Sequence, residues 1–160
     1  MLTFLPPHPD YEGLVRTFVD DFKDHGEEHI YGSGGLLKSD IAVWCRNSVS
    51  AMAHKQIQLL TYSTDDNAII GCVAIRPTLT PELVQSYGCN IGYSIAPSYR
   101  EQGYGAQQFS KALSICRSLG MKCVFVGILN GNETSRKLIE RLGGEPAMHN
   151  NDGTIYKVLT

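Results

Sequence analysis

The stretch Arg100-Glu101-Gln102-Gly103-Tyr104-Gly105 carries the clearest chemical signal in the sequence, because two glycines lie where a strand-like segment passes into a helix-like one. A helix that begins near Gly103 leaves its first peptide N–H groups without helical partners, and its dipole adds roughly half a positive charge there. Without side chains at Gly103 and Gly105, a ligand could approach the backbone closely. The stretch fits a backbone cradle for an anion, with Arg100 and Gln102 as extra donors, and fits a plain strand-to-helix turn equally well.

Two other phosphate-binding motifs are excluded by their spacing. A Walker loop requires GxxxxGK[ST], and the sequence contains no such run. The dinucleotide fingerprint GxGxxG/A requires a small residue where this chain has Gln108. The anion cradle, if present, therefore belongs to neither of these classes.

A second candidate is the segment His25-Gly26-Glu27-Glu28-His29, which fits the pattern H-x-x-E-H of inverted zinc proteases. That chemistry requires both histidines on one helix face and a third ligand. Gly26 weakens a helix at this point, and the glycine-rich run YGSGG follows directly. Two solvated histidines at a helix end are the simpler interpretation, and a zinc peptidase remains a remote alternative.

Composition limits the class of protein. The 160 residues favour a single domain spanning 1–160, and a formal net charge of −2 gives no indication of nucleic-acid or membrane binding. The five cysteines are odd in number and none are spaced as CxxC, which argues against a disulfide framework or zinc ribbon and favours reduced thiols. With no leader-like start and no long apolar run, a cytoplasmic protein is expected.

Hydrophobic periodicity predicts a mixed sheet covered by helices. The segment from Asn90 to Ile128 has the order strand, helix, strand, so its two strands should be parallel with a right-handed connection. Helices are predicted over 11–24, from a cap at Ser39 to about Met52, from about Thr80, over 103–119 and over 132–142. Strands are predicted over 2–5, 57–64, 68–75, 90–95, 123–128 and 154–159.

The glycine stretch also resembles a known family. The pattern R-x-x-G-x-G after "GYSIAPSY", opening a helix, is similar to the coenzyme A loop of the GNAT N-acetyltransferases. The run "VFVGILNGNETSRKLIERLGGE", with Asn132 and Ser135, resembles that family's fifth strand and following helix, so the resemblance covers nearly the whole chain. It implies an α/β (α+β) fold: a mixed, mostly antiparallel central sheet with flanking helices. Its central parallel strands, the fourth and fifth, would splay around the cofactor at 91–95 and 124–128.

The resemblance implies acetyl-CoA as co-substrate, with no metal, and a role for each matching position. Backbone groups of the fourth strand would pair with the pantetheine arm, and an amide near its end would stabilise the oxyanion. Asn132 would contact the pantetheine, and Ser135 would lie near the phosphate end. The strand residues are Tyr93, Ser94 and Ile95, and the pyrophosphate would be held by amides of Arg100, Glu101, Gln102, Gly103, Tyr104, Gly105 and Ala106.

The sequence departs from the family pattern at both proton-transfer positions. Many members carry a glutamate base where this chain has Asn90, and a tyrosine acid where it has Ile139. An asparagine cannot act as a base at neutral pH, although it can orient a water molecule. Glu28, beside His29 in the loop where the family often binds its acceptor, is the substitute that we consider together with Asn90 as catalytic. Tyr93 is expected to be a groove-wall aromatic.

Two functions follow from these features. The leading one is an N-acetyltransferase that moves an acetyl group from acetyl-CoA to an amine of a small molecule or peptide by direct attack. The second is a non-catalytic module that binds or senses acyl-CoA, which the loss of both titratable residues favours. The motif similarity extends to a bacterial subgroup whose acceptors are poorly defined, and dimerisation is expected only by analogy with the family.

Overall fold

Seven strands and four α-helices make up the part of the chain that the computed structural model describes, residues 1–51, 56–80 and 88–160. The helix predicted to begin near Thr80 lies outside these residues. The helices are α1 Glu12–Asp24, α2 Ile41–Ala51, α3 Tyr104–Ser118 and α4 Glu133–Arg141. The strands are β1 Leu2–Leu5, β2 Ile57–Ser63, β3 Ala68–Ile75, β4 Ile91–Ile95, β5 Cys123–Leu129, β6 Glu145–His149 and β7 Gly153–Leu159.

The strands form two sheets, in the orders β1-β2-β3-β4 and β5-β7-β6, and every ladder is antiparallel. The two sheets are separated between β4 and β5. This confirms the predicted fold, a mostly antiparallel sheet whose fourth and fifth strands splay apart. Strand β6 was not predicted. It is exposed along its whole length, contains Pro146 and is interrupted by a bulge, so its sequence lacks the alternation that marks a half-buried strand.

Helices cover both faces of the first sheet. The helix predicted over 11–24 is present as α1, and its apolar residues Val15, Phe18, Val19 and Phe22 are buried in a cluster with residues of α2. On the other face, α3 packs in a second cluster with α4, β5 and β7. Within the described ranges, no helix is long and apolar enough to cross a membrane.

The cap of α2 differs from the prediction. The Oδ1 atom of Asp40, not the hydroxyl of Ser39, accepts a hydrogen bond from the N–H of Val43, at 2.9 Å. The Ser39 hydroxyl donates instead to the carbonyl of Gly35, at 2.9 Å. Both residue types are good N-caps. Ser39 is already the C-cap residue of the preceding 3-10 turn, Leu36–Lys38, so the next residue caps α2.

Asn90 joins the two sheets where β4 begins. Its carbonyl accepts from the N–H of Arg76 at 2.7 Å, while its side-chain Nδ2 donates to the Arg76 carbonyl at 3.0 Å. The peptide N–H of Asn90 is therefore released to donate to the Phe125 carbonyl at 2.8 Å, and its Oδ1 accepts from the Phe125 N–H at 2.8 Å. The side chain thus substitutes for the residue's own N–H and lets one residue bond both β3 and β5.

Beyond Asn90, the two strands are not paired. The bonds from Arg76 N–H to the Asn90 carbonyl and from Ala96 N–H to the Ile70 carbonyl fix the ladder with β3. Because hydrogen bonding alternates along an antiparallel strand, the peptide groups of residues 92 and 94 also face β3. Those of Tyr93 and Ile95 face the opposite edge, towards β5. Strands β4 and β5 therefore border a wedge whose apex is Asn90.

This geometry makes the amide of Asn90 essential in a way that a carboxylate cannot reproduce. Asn90→Asp would keep an acceptor for the Phe125 N–H but lose the donor to the Arg76 carbonyl, at a site that is only 6% exposed. We expect a loss of about 2–4 kcal/mol in the free energy of unfolding at pH 7, measured by urea denaturation.

The same variant should depend on pH. Burial beside a carbonyl oxygen raises the folded-state pKa of the new carboxyl, so its protonated form, which can donate, is favoured in the folded protein. The deficit relative to the wild type should then shrink between pH 7 and pH 4.5. Asn47→Asp, at an exposed position of α2, should cost less than about 0.5 kcal/mol. Equal losses in both variants would contradict the role of Asn90.

Candidate functional site

The loop between β4 and α3 has the conformation of an anion cradle. A short 3-10 turn, Pro97–Tyr99, follows the strand, and Glu101 and Gly103 then have positive φ angles of 63° and 80°. A left-handed conformation costs a non-glycine residue about 1–2 kcal/mol, and such residues cluster at functional sites. Left-handed residues that alternate with other conformations turn successive N–H groups towards a common point.

The start of α3 leaves its donors free. Gly103 is the N-cap residue and provides no side-chain cap, and the first backbone bond of the helix runs from the N–H of Gln107 to the Gly103 carbonyl, at 3.3 Å. The N–H groups of Tyr104, Gly105 and Ala106 therefore have no acceptor in the helix. Three amides and the positive end of the helix dipole lie at one point of the loop.

The two glycines of the motif serve different purposes. A Cβ atom on Gly103 would touch nothing within 4 Å, so this glycine is required by its φ angle of 80°. A Cβ atom on Gly105 would lie 3.2 Å from Cδ1 of Leu138 on α4. Gly105 therefore allows α3 and α4 to pack closely. This is the kind of role that the glycine would have in a plain strand-to-helix turn.

Tyr93 and the start of α4 line the wedge. The Tyr93 ring packs edge-on against Phe109, with the ring centroids 5.2 Å apart, and its hydroxyl is buried without a well-formed hydrogen bond. Burial raises the pKa of the phenol, and the nearby Ser135 hydroxyl opposes this only in part, so Tyr93 is neutral at pH 7. Asn132 caps α4 by accepting from the Ser135 N–H at 3.2 Å, and its amide group remains available as a donor.

Ser94 does not present its backbone to the wedge. Its peptide groups face β3, its carbonyl also accepts from Nε2 of Gln108 at 3.2 Å, and its hydroxyl donates to the Tyr31 carbonyl at 2.7 Å. Because hydrogen bonding alternates along the strand, these bonds do not favour the predicted pairing of the Ser94 backbone with a bound arm, which stays a prediction. Tyr93 and Ile95 are the residues whose peptide groups face the wedge.

Gln108 is a positioning residue that the sequence did not reveal. It is fully buried, and its Nε2 atom donates to Oγ1 of Thr61 at 2.7 Å and to the carbonyls of Cys72 and Ser94, both at 3.2 Å. These bonds fix α3, and hence its N-terminus, relative to three strands. The space for this side chain exists because Gly71 has no Cβ. In the sequence, Gln108 was visible only as the residue that breaks a dinucleotide fingerprint.

The loop that follows α1 lies directly on β4. Gly32, with a φ of 72°, packs so closely that a Cβ atom on it would lie less than 3.0 Å from the Gly92 carbonyl. Carbonyl groups of this loop accept hydrogen bonds from buried side chains, at Gly32 from Gln58 at 2.7 Å and at Ser33 from Nε1 of Trp44 at 2.7 Å. The loop that was expected to bind the acceptor is thus held beside the wedge.

The candidate catalytic residues differ in how accessible they are. All four polar groups of Asn90 bond the backbone of neighbouring strands, so orienting a water would need the second Nδ2 hydrogen or a second Oδ1 lone pair. Glu28 is exposed on the loop, next to His29, whose ring lies 5.8 Å from that of Tyr31. Ile139, at the usual tyrosine position, is fully buried. The catalytic roles of Asn90 and Glu28 stay predictions.

The zinc-site interpretation of residues 25–29 is not supported. Helix α1 ends at Asp24, so the two histidines do not share a helix face, and Nδ1 of His25 lies 2.8 Å from the Asp21 carbonyl oxygen. In the part of the chain that the structure describes, no group of three His, Cys, Asp or Glu side chains could hold a metal ion.

Three solved structures with the same architecture are distant in sequence. A proposed ribosomal-protein-serine acetyltransferase from Vibrio cholerae matches with a TM-score of 0.75 and 13% identity, over 99% of this chain and 94% of that one. The microcin C7 self-immunity acetyltransferase MccE, solved with acetyl-CoA and AMP, matches with a TM-score of 0.74 and 16% identity, over 99% of this chain and 92% of that one. The ribosomal-protein-S5-alanine acetyltransferase from Vibrio fischeri matches with a TM-score of 0.74 and 14% identity, over the same shares of the two chains.

These structures establish the fold alone, and a comparison with curated proteins gives no significant match. The family follows from a sequence model, that of the acetyltransferase (GNAT) domain, which matches residues 3–145. That range contains the wedge, the cradle before α3 and the capped start of α4. The family resemblance and the expected acyltransferase class are thereby confirmed: the chain belongs to the GNAT acetyltransferases.

Proposed function

We propose that this protein transfers an acetyl group from acetyl-CoA to an amine of a small molecule or peptide. The observation that carries the proposal is the uncapped start of α3 at the end of the unpaired edge of β4. The two features together offer donors for a pyrophosphate and a strand edge for an extended amide-containing arm. The neighbour MccE, of the same fold, was solved with acetyl-CoA.

Each part of the site would hold one part of the co-substrate. The N–H groups of Tyr104, Gly105 and Ala106, with the loop from Arg100 to Gly103, would bind the pyrophosphate. The peptide groups of Tyr93 and Ile95 would bind the amides of the pantetheine arm, which lies in the wedge. Asn132 would donate its free amide hydrogens from the opposite wall, with Ser135 beside it.

When bound, acetyl-CoA supplies an activated acetyl thioester. A wedge-facing N–H, at Tyr93 or Ile95, can donate to the acetyl oxygen as negative charge develops there. The attacking amine must be neutral, yet an alkylamine has a pKa near about 10.4, so a group on the acceptor side must take its proton. We propose Glu28, directly or through a water that Asn90 orients, since the loop that carries Glu28 lies against β4.

Ligand binding should raise the melting temperature. At an acetyl-CoA concentration of about 100 times Kd, the stabilisation is about 2.7 kcal/mol, which corresponds to roughly 5–10 °C for a domain of this size. Acetyl-pantetheine lacks the nucleotide and its phosphates, so the cradle gives it little affinity, and at the same concentration it should produce less than about 1 °C. No shift with millimolar acetyl-CoA would count against the proposal.

A charge placed at the cradle should weaken that binding selectively. Gln102 is exposed and donates to the Ser98 carbonyl at 3.2 Å. Gln102→Glu adds a carboxylate beside the expected phosphates, and we expect the Kd of coenzyme A to rise about fivefold or more in low salt, less at 0.5 M salt. Ser110→Glu adds the same charge at an exposed site farther along α3 and should change the Kd less than twofold. Equal effects would place the phosphates elsewhere.

The acceptor can be searched for with thiol release as the signal. By their names, the neighbours act on ribosomal-protein serine or alanine, on the α-N position of ribosomal L7/L12 and, in one case, on spermidine. Peptide α-amines and polyamines therefore belong in the panel. Glu28→Gln should lower kcat about 100-fold with an unchanged KM for acetyl-CoA. Binding of acetyl-CoA without turnover on a broad panel would instead favour the acyl-CoA sensor that Asn90 and Ile139 suggest.

A further inference from the structure

The end of α1 is bonded directly to the loop before α3. The carboxylate of Asp21 accepts from the N–H of Ser98 at 3.0 Å and from the Ser98 hydroxyl at 2.5 Å. The Asp21 side chain is only 18% exposed. One carboxylate therefore holds the 3-10 turn that leads from β4 into the cradle.

A second contact holds Arg100, the first residue of the motif. Its Nε atom donates to the Ile95 carbonyl at 3.0 Å, and its Nη2 atom donates to Oε2 of Glu27 at 3.0 Å, while Nη1 donates to Oε1 of the same carboxylate. The guanidinium also lies over the Phe22 ring, 5.6 Å from the centroid. The Arg100 side chain is thus committed to α1 and β4 and does not extend to the rim as the free donor expected from the sequence.

The turn after α1 explains why Glu27 reaches Arg100. Gly26 has a left-handed φ of 69°, its N–H donates to the Lys23 carbonyl at 2.9 Å, and the Glu27 N–H donates to the Phe22 carbonyl at 2.9 Å. This pair of bonds is a Schellman motif, which ends a helix and reverses the chain. The Gly-Glu pair inside the zinc-like pattern therefore stops α1 and directs a carboxylate at the cradle.

These contacts lower the entropy that ligand binding must remove. Ordering a loop costs conformational entropy at every residue, so a loop that is already held in its binding conformation binds more tightly. The cradle includes Glu101 in a strained left-handed conformation, which surrounding contacts must maintain. A two-point, bidentate contact is suited to this, although a partly exposed ion pair contributes little to global stability.

We propose that Asp21 and Glu27 are positioning residues for the pyrophosphate-binding loop, acting through Ser98 and Arg100. The inference rests on the proposed function for the identity of the ligand. Beyond that function, we infer that α1 and the loop after it, which also lies on β4 at Gly32, position two parts of the site together. These are the loop that would bind coenzyme A and the side of the wedge where the acceptor is expected.

The test compares Glu27→Gln and Asp21→Asn with Asp24→Asn. Asp24 is exposed at the end of α1 and makes no ion pair within the described residues, so its variant removes the same charge without touching the loop. The first readout is backbone amide exchange of Ser98, Tyr99 and Arg100 in the protein without ligand, where their N–H groups are bonded to Asp21, Ala96 and Pro97 respectively. We expect exchange at least about tenfold faster in Glu27→Gln and Asp21→Asn, and unchanged in Asp24→Asn.

The second readout is the Kd of coenzyme A by calorimetry, with steady-state kinetics where turnover is measurable. The two loop variants should bind about tenfold more weakly and raise KM for acetyl-CoA, with kcat changed less than about threefold, because the reacting groups are untouched. Glu27→Asp, which keeps the charge, should recover part of the affinity.

Two outcomes would overturn the inference. Unchanged exchange of the loop would show that α1 does not hold it. Tighter binding of coenzyme A by Glu27→Gln would show that the carboxylate competes with phosphate for Arg100. If the wild-type protein binds no coenzyme A, the proposed function fails, and the exchange readout still decides whether the loop is positioned by α1.

Discussion

The architecture depends on one substitution of hydrogen-bonding groups, in which the side chain of Asn90 takes over the bond that its own N–H would make to Arg76. The released N–H then bonds Phe125, so a single residue ends the β3–β4 ladder and joins β5. The two sheets are joined at this residue, and from residue 91 onward the edge of β4 that faces β5 is unpaired. Because an ionised carboxylate would offer no donor there, the asparagine that forms the wedge apex is costly to replace by an acid at neutral pH.

The cradle owes its shape to contacts from three directions. Gln108 fixes α3 to the sheet from within, Leu138 packs against Gly105, and Asp21 and Glu27 hold the loop from α1. The free amides are therefore presented by a rigid frame, which is the condition for strong anion binding by backbone groups. Gly105 serves the packing of α3 on α4, and Gly103 allows the left-handed turn that the proposed anion site requires. Each glycine therefore matches one of the two interpretations that the sequence left open.

The sequence was sufficient for most of the helices and strands and for the family, because the apolar periodicity of α1 and the R-x-x-G-x-G pattern are local signals. It was insufficient wherever a long-range contact decides the role. The strand pairing that turns Ser94 away from the wedge, the burial of Gln108 and the pairing of Glu27 with Arg100 join residues far apart in sequence. The exposed strand β6 was missed because burial, which produces alternation, is absent there. The zinc-like pattern, a remote alternative in the sequence, is a helix stop in this chain.

Residue-resolved amide exchange with and without acetyl-CoA tests directly whether the co-substrate occupies the wedge and the cradle. The amides of Tyr93, Ile95 and residues 104–106 should become protected on binding. The amides of Gly92 and Ser94, already bonded to β3, should not change. Binding that leaves Tyr93 and Ile95 unprotected, or that protects a different surface, would contradict this placement.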